Sequence, residues 1–314
     1  MTLRRELDRY LTIRRSLGYD LGTSERVLRR FADFAEAERA SHVTTDLFLH
    51  WQDAFGEAGR QTWAARLGMV RLFAQWLHGL DPAHEVLPRG LVPSRYRRTR
   101  PYIYSTAEIA AIVEEAAELP SIYGMRGLTC STLFGLIAAT GLRISEAVGL
   151  DTGDIDFEEG VLRIRRGKLG KERLLPLTGS VVEHLHGYAG ERDRLLGLTP
   201  EPFFVTCAGK RVDDCTARYN FALVCQRIGL RNPQRYHRHG RGPRIHDLRH
   251  SFAARTIIGW YRTGQDPARE MIKLSTYLGH ANPQHTYWYI EEVPELLELA
   301  SARLPQSTDA EEGR

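Results

Sequence analysis

The stretch Arg244-Ile245-His246-Asp247-Leu248-Arg249-His250-Ser251-Phe252 sets imidazoles beside a guanidinium at helical spacing. Ile245, Leu248 and Phe252 follow an i, i+3, i+7 pattern and make an apolar stripe, while His246, Arg249 and His250 share the other side. A helix that buries one face and offers His and Arg on the other is suited to holding an anion. The approach agrees: Arg231, Arg235, Arg238, Arg241 and Arg244 come with His237 and His239 interleaved and no acid from 231 to 244. A buried His–Asp pair or a capping role would explain His246 alone, but not five arginines leading up to it. The partner this chemistry implies is a phosphate-rich polyanion.

Other residues could join it. Arg143 follows the Gly141 break and reads as part of a helix's first turn, where open backbone amides favour an anion. A surface pair with Glu146 at i+3 explains it equally well. Lys168 stands at the tip of a hairpin, followed by Lys171 and Arg173, where lysines also serve solubility alone. His280, in Leu278-Gly279-His280, precedes the helix cap Asn282, a place where a histidine can be purely structural. Tyr287 and Tyr289 lie two apart and point to nearly opposite sides of a helix, so only one can face a site, and core packing accounts for either. His246 and His250 with His280 imitate a zinc set. The Glu expected after the first His is Asp247, however, and Arg249 between the two would repel a dication. No metal or other cofactor is therefore expected.

The elements that must position these groups are mostly helical. Residues 1–88 read as a bundle of four helices. The first carries Leu3, Leu7, Tyr10 and Leu11, and the second follows Gly22-Thr23-Ser24 with Val27, Phe31 and Phe34. The third is capped by Thr45 and buries Leu47, Leu49 and Trp51. The fourth, over about 61–79, places Trp63, Leu67, Val70, Ala74 and Leu77 on one side. Residues 89–104 form a Pro-bounded basic linker with Arg95, Arg97, Arg98 and Arg100, placed to straddle phosphates. A second domain over 105–304 opens on the capping box Ser105-Thr-Ala-Glu108. A buried helix over 128–139 and a short helix from Arg143 follow. Residues 161–166 and 172–177 pair as a hairpin around Gly167-Lys168-Leu-Gly170. Helices are expected at 179–196, 213–229, 245–262 and 266–275, with a strand at 203–205 between the first two. Asn282-Pro283 starts another helix, and an amphipathic helix over 294–304 precedes a polar tail, 305–314. The fold class is mainly α with a small β-hairpin or sheet.

Composition narrows the class. With 42% hydrophobic and 26% charged residues in 314, the chain is an ordinary globular protein with length enough for two cores. The net charge is only +4, but residues 1–100 hold 17 Lys/Arg against 12 Asp/Glu, so the remainder is near −1. The basic patches are thus local, which suits a nucleic-acid groove better than a uniformly cationic surface. Cys130, Cys207, Cys215 and Cys225 show neither C-x-x-C nor zinc spacing and are expected to be reduced thiols. With no signal-peptide core and no membrane-length apolar run, the expectation is a soluble, intracellular protein without a membrane partner.

Taken in order, Ala139-Thr-Gly-Leu-Arg143-Ile-Ser-Glu146, Gly167-Lys168-Leu-Gly-Lys-Glu-Arg173-Leu-Leu-Pro-Leu177, His246-Asp-Leu-Arg249-His250, Leu278-Gly-His280 and Tyr289 resemble the tyrosine recombinase, or phage-integrase, family. The resemblance runs from about 105 to 304, and the helical N-terminal region looks like the family's core-binding domain. It implies a site-specific recombinase that cuts and rejoins duplex DNA through a 3′-phosphotyrosyl link, without metal or ATP. By this likeness Tyr289 would be the nucleophile, Arg143 and Arg249 would clamp the phosphate, and Lys168 would protonate the departing 5′-oxygen. His246 would help move the tyrosine proton and His280 would bond the phosphate. Glu146 would orient Arg143, and His250 would support its helix. Arg95, Arg97, Arg98, Arg100, Arg235, Arg238, Arg241 and Arg244 would contact DNA, clamped between the two halves. The 294–304 helix would dock on a neighbouring copy in a tetrameric synapse or pack on its own domain. The setting would be bacterial cytoplasm, with the protein on the nucleoid, serving a mobile element. The approach to His246 and the 257–277 segment are longer than the family's pattern. A type IB topoisomerase, a non-catalytic DNA-binding relative and a zinc hydrolase are the competing classes.

Overall fold

The computed structural model describes residues 2–56, 58–94, 100–121, 123–165, 172–232, 242–280, 282 and 284–302. The chain forms two compact units, Met1–Thr99 and Arg100–Arg314.

The first unit is built from α1 (Leu3–Ser16), α2 (Gly22–Ala37), α3 (Thr45–Ala54) and α4 (Arg60–His78). Each contributes one apolar stripe to a common core around Leu7, Phe31, Trp51, Trp63, Val70 and Leu77. Trp51 lies edge-on to Phe31 and Trp63, both at 5.2 Å between ring centres. Fully burying side chains of this size is worth roughly 1.5–3 kcal/mol each, which holds together a bundle with short joints. Two expectations are corrected. Thr44, not Thr45, caps α3, its hydroxyl accepting from Leu47 N at 3.1 Å. Leu49 is exposed and Phe48 takes its place in the core, because 47, 48 and 51 share one face of the helix and 49 stands off it.

The second unit opens with α5 (Thr106–Ala117), whose Ser105–Glu108 capping box is fully formed. Then come α6 (Met125–Thr140) and the five-residue α7 (Ile144–Val148). A three-stranded antiparallel sheet follows in the order β1 (Ile155–Asp156), β2 (Val161–Ile164) and β3 (Arg173–Pro176). The β2–β3 register pairs Val161 with Pro176 and Ile164 with Arg173, so Leu162, Ile164 and Leu175 face inward. A two-residue β1 is too short to show alternation, which is why the sequence reading has the β2–β3 hairpin without it. The expected strand at 203–205 is absent: Phe203, Phe204 and Val205 are fully buried, but the backbone makes only isolated bridges, Asp151 to Pro202 and Val205 to Arg211. Burial on both sides would also suit a central strand, but with only single bridges and no ladder the segment is a loop threading the core.

The chain continues through α8 (Gly179–Leu196), α9 (Asp214–Arg227), α10 (Ile245–Arg262), α11 (Pro267–Leu278), α12 (Gln284–Glu292) and α13 (Pro294–Ser301). α10 packs on α6 with its first half, within one apolar cluster that includes Ile245 and Leu248. Its second half joins a separate cluster with α11, α12 and α13 through Ile257, Met271, Tyr289 and Leu296. α13 thus packs on its own unit through Leu296, while Leu297 points outward. The architecture is mainly α with one small antiparallel sheet, and no helix among the described residues is long and apolar enough to cross a membrane.

Candidate active site

Two helix ends form the floor of the site. α6 and α11 both stop at a glycine in the left-handed conformation, Gly141 (φ +64°) and Gly279 (φ +66°). This geometry leaves C-terminal carbonyls pointing out of each helix, at the negative end of its dipole. Arg249 on α10 fills the gap: Nη1 donates to Gly141 O and Nη2 to Leu278 O, both at 2.6 Å. Arg143 takes the next carbonyl, with Nη2 donating to Gly279 O at 2.8 Å. Two guanidiniums are thereby stapled to consecutive carbonyls of one turn. Arg249 is only 2% exposed, and burial, with Arg143 beside it, pulls it down from its ordinary value to about 10. It remains a cation at neutral pH, but one deprived of water, a condition that an entering anion would relieve.

Both glycines are required by close approach. A Cβ at Gly141 would stand 2.6 Å from Phe252 Cδ1, and one at Gly279 would stand 2.8 Å from Arg173 Nη1.

Arg143 is the residue immediately before α7 rather than a member of its first turn. Its backbone N–H donates to Glu146 Oε2 at 3.0 Å and its Nη1 to Glu146 Oε1 at 2.6 Å. A second guanidinium comes from β3: Arg173 Nη1 and Nη2 donate to Glu146 Oε1 and Oε2 at 3.0 and 2.8 Å, and its Nε donates to Tyr277 O at 3.0 Å. Burial alone would raise the Glu146 carboxyl, but the hydrogen bonds from Arg173 and Arg143 outweigh it and hold it at about 2. Of the two readings of Arg143, the pair with Glu146 is present on one terminal nitrogen, while the other lies on Gly279 O.

α10 begins with Arg244 and Asp247 in a reciprocal cap. The expected division of this helix into apolar and open faces does not hold: Arg249 and His250 are as buried as Leu248, because α6, α11 and α12 surround the helix. Burial, followed by the positive fields of Arg249, Arg244 and Arg143, lowers His246 to about 4, so it is neutral at pH 7. Its ring lies edge-on to His250 at 4.6 Å. His250 Nδ1 is 2.8 Å from the Tyr289 hydroxyl. The two phenols of α12 part as their spacing requires, with Tyr289 1% exposed and Tyr287 41%. His280 Nδ1 is 2.7 Å from the hydroxyl of the buried Thr286.

The structure thus brings Arg143, Glu146, His246, Arg249, His250, His280 and Tyr289 into one neighbourhood. Lys168, Arg95, Arg97, Arg98, Arg235, Arg238 and Arg241 lie outside the described residues. Arg100 is exposed and its Nε donates to Glu292 at 3.2 Å, while the half-exposed Arg244 is engaged by Asp247. Three features had no site role in the sequence reading: Arg173, Thr286 and Gly279 as a helix cap. Arg173 carried a signal, a charged residue at the inner end of a strand pair, but only the fold shows that its partner is Glu146. Among the described residues, one His/Asp group has metal-like spacing, His42, Asp81 and His84 in the first unit, with ligand atoms within 4.8 Å. His84 Nδ1 accepts from Val43 N at 3.0 Å, which puts the neutral ring's proton on Nε2 and leaves no lone pair for an ion.

Comparison with known proteins supplies a family. The phage integrase family profile matches residues 105–295. A putative integrase/recombinase of Sinorhizobium fredii, y4rB, is 40% identical over 308 residues, covering 96% of this chain and 97% of that protein. Tyrosine recombinase XerC of Thermodesulfovibrio yellowstonii is 26% identical, covering 90% and 89% of the two chains. Among solved structures, the Tn1549 transposon integrase in complex with transposon right-end DNA superposes with a TM-score of 0.62 at 15% identity, covering 96% and 98%. The XerH site-specific recombinase bound to palindromic difH substrate gives 0.61 at 19%, covering 90% and 79%. The structural likenesses are of fold.

Proposed function

Since the chain belongs to the phage integrase family, the tyrosine recombinases, we propose that it recombines duplex DNA at a specific site through a covalent 3′-phosphotyrosyl intermediate. The observation that carries this reading is the pair Arg143 and Arg249, held on adjacent carbonyls of one turn. Two fixed guanidiniums side by side are matched to the non-bridging oxygens of a phosphodiester, whose charge grows as phosphorus becomes five-coordinate.

The Tyr289 oxygen attacks phosphorus, and the bond to the 5′-oxygen breaks. The departing oxygen takes a proton from Lys168, and His280 bonds the phosphate. A 5′-hydroxyl from a partner strand then reverses the step, so the bond energy is conserved without ATP. No step calls for a metal, and activity should be indifferent to a chelator. Glu146 orients Arg143. The partner is double-stranded DNA, and strand exchange requires several copies assembled on it. The relatives support that requirement: a λ integrase of the same fold is a tetramer on a Holliday junction. The first unit is read as the DNA-binding domain. Its Arg26, Arg30 and Arg66 line a cleft of about 300 Å³ over Trp51 and Phe55, with no acid among the lining residues.

The test is a pool of nicked duplexes with randomised centres, incubated with wild type, Tyr289→Phe and Tyr287→Phe and run on a denaturing gel. A covalent protein–DNA adduct is expected from wild type and Tyr287→Phe only. An adduct from Tyr289→Phe would remove the nucleophile and the reading with it.

A further inference from the structure

By the family likeness His250 only supports its helix, and the tyrosine proton goes to His246. The geometry points to a different division of labour: we infer that His250 is the base that takes the Tyr289 proton as the phenol attacks phosphorus. The inference rests on Tyr289 being the nucleophile. His250 Nδ1 is 2.8 Å from the Tyr289 oxygen, already within proton-transfer reach. Both side chains are buried, so bulk water is a poor competitor for that proton. His246 touches the other side of the arrangement, ring to ring with His250 at 4.6 Å, and stands under the fields of Arg249, Arg244 and Arg143, which disfavour an added charge there. Trp288 on α12 lies 5.8 Å from the His250 ring. His246 on its own helix and Tyr289 on α12 both lie against the His250 ring, and the Arg249 guanidinium is close enough to Tyr289 to act on it.

In the step, the O–H bond of Tyr289 breaks as the O–P bond forms, and the proton passes to Nδ1 of His250. The 5′-oxygen leaves phosphorus with a proton from a different group. On rejoining, the imidazolium returns its proton to the phenolic oxygen as that oxygen departs. Nucleophile activation and leaving-group protonation are therefore separate, on opposite sides of the phosphorus.

The experiment uses the duplex recovered from the adduct pool, in single-turnover cleavage by wild type, His250→Gln and His250→Phe across pH. Gln retains an oxygen that can accept from the phenol but cannot carry the proton away, so it separates holding from proton transfer. Both variants should lose roughly 100-fold or more in adduct formation at neutral pH, with DNA affinity unchanged. The loss should shrink as alkali ionises the phenol directly, and the acid limb of the wild-type profile should vanish in His250→Gln. Replacing the leaving 5′-oxygen with sulfur, which departs without a proton, should leave the His250→Gln loss in place. A wild-type rate and pH profile for His250→Gln, a variant that gains activity, or rescue by the sulfur substrate would each overturn the inference. If His250→Phe fails to fold, His250→Gln carries the test alone. An adduct from Tyr289→Phe would instead mark failure of the nucleophile assignment beneath it.

Discussion

The Arg173 guanidinium lies against the Glu146 carboxylate with both terminal nitrogens bonded, at 3.0 and 2.8 Å, while Glu146 also takes Arg143. One buried carboxylate therefore organises two cations, from β3 and from the residue that opens α7. The third nitrogen of Arg173, on Tyr277 O, extends the tie to the end of α11, next to His280. The β2–β3 pair is thereby anchored through Arg173 to the turn that holds Arg143 and Arg249.

Removing Arg173 should accordingly affect the site as well as the fold. Arg173→Ala leaves a buried carboxylate short of a partner, a class of change that costs about 3–5 kcal/mol. Arg173→Lys should be intermediate, because an ammonium has no planar fork to span two oxygens and a carbonyl. Adding Glu146→Gln to Arg173→Ala should recover part of the stability, since the orphaned charge is gone, but not the cleavage rate. Thermal unfolding and single-turnover cleavage of the double-mutant cycle check this. Strictly additive losses in stability would contradict the coupling.

Gly279→Ala tests the floor of the site. The added Cβ would meet Arg173 at 2.8 Å, in a left-handed backbone that costs a non-glycine residue roughly 1–3 kcal/mol. Displacing Arg173 moves Glu146, and through it Arg143. Cleavage is expected to fall by about tenfold or more, the equivalent of roughly 1.4 kcal/mol on the barrier, with DNA affinity nearly unchanged. Unchanged cleavage rates together with a wild-type melting temperature would count against this picture.

Acid should destabilise the second unit in two stages. His246 is held at about 4 against an ordinary 6.5, and Glu146 at about 2 against 4.5. Both folded values are depressed, so the unfolded chain binds the extra proton in each window and stability falls as pH falls. The first loss runs from about 6.5 down to 4 and the second from about 4.5 down to 2. Melting temperature measured against pH should lose its upper stage in His246→Gln. A profile in that variant as steep as wild type between the two His246 values would show that another group is responsible.

The arginine-lined cleft of the first unit makes a separate prediction about affinity. Burial and Arg30 together depress Arg66, which marks a crowded cationic spot that a phosphate would relieve. Arg30→Ala and Arg66→Ala should each weaken DNA binding at low salt and lower the slope of log affinity against log salt by about 1. Adduct chemistry on bound DNA should be unaffected. Binding titrations at several salt concentrations decide it, and an unaltered slope in both variants would place the DNA elsewhere.

Local patterns determined much of this protein. Helical periodicity marked the buried faces of α1 and α4, the Ser105–Glu108 cap marked the start of α5, and Gly141 marked the end of α6. These signals are legible because a cap, a period or a left-handed residue acts within one turn of chain. The spacing of Tyr287 and Tyr289 likewise indicated opposite sides of one helix, since two residues is about half a turn, and one is buried while the other is exposed. What the tertiary structure alone decided is who meets whom. Arg249 finds Gly141 from 108 positions away and Arg143 finds Gly279 from 136. Arg173 and His250 owe their partners to the packing of β3 and α12 against helices distant in sequence. No local pattern encodes a contact between segments that far apart. It exists because Arg249 bridges open carbonyls at the ends of both helices, and Arg143 takes the next carbonyl of the second.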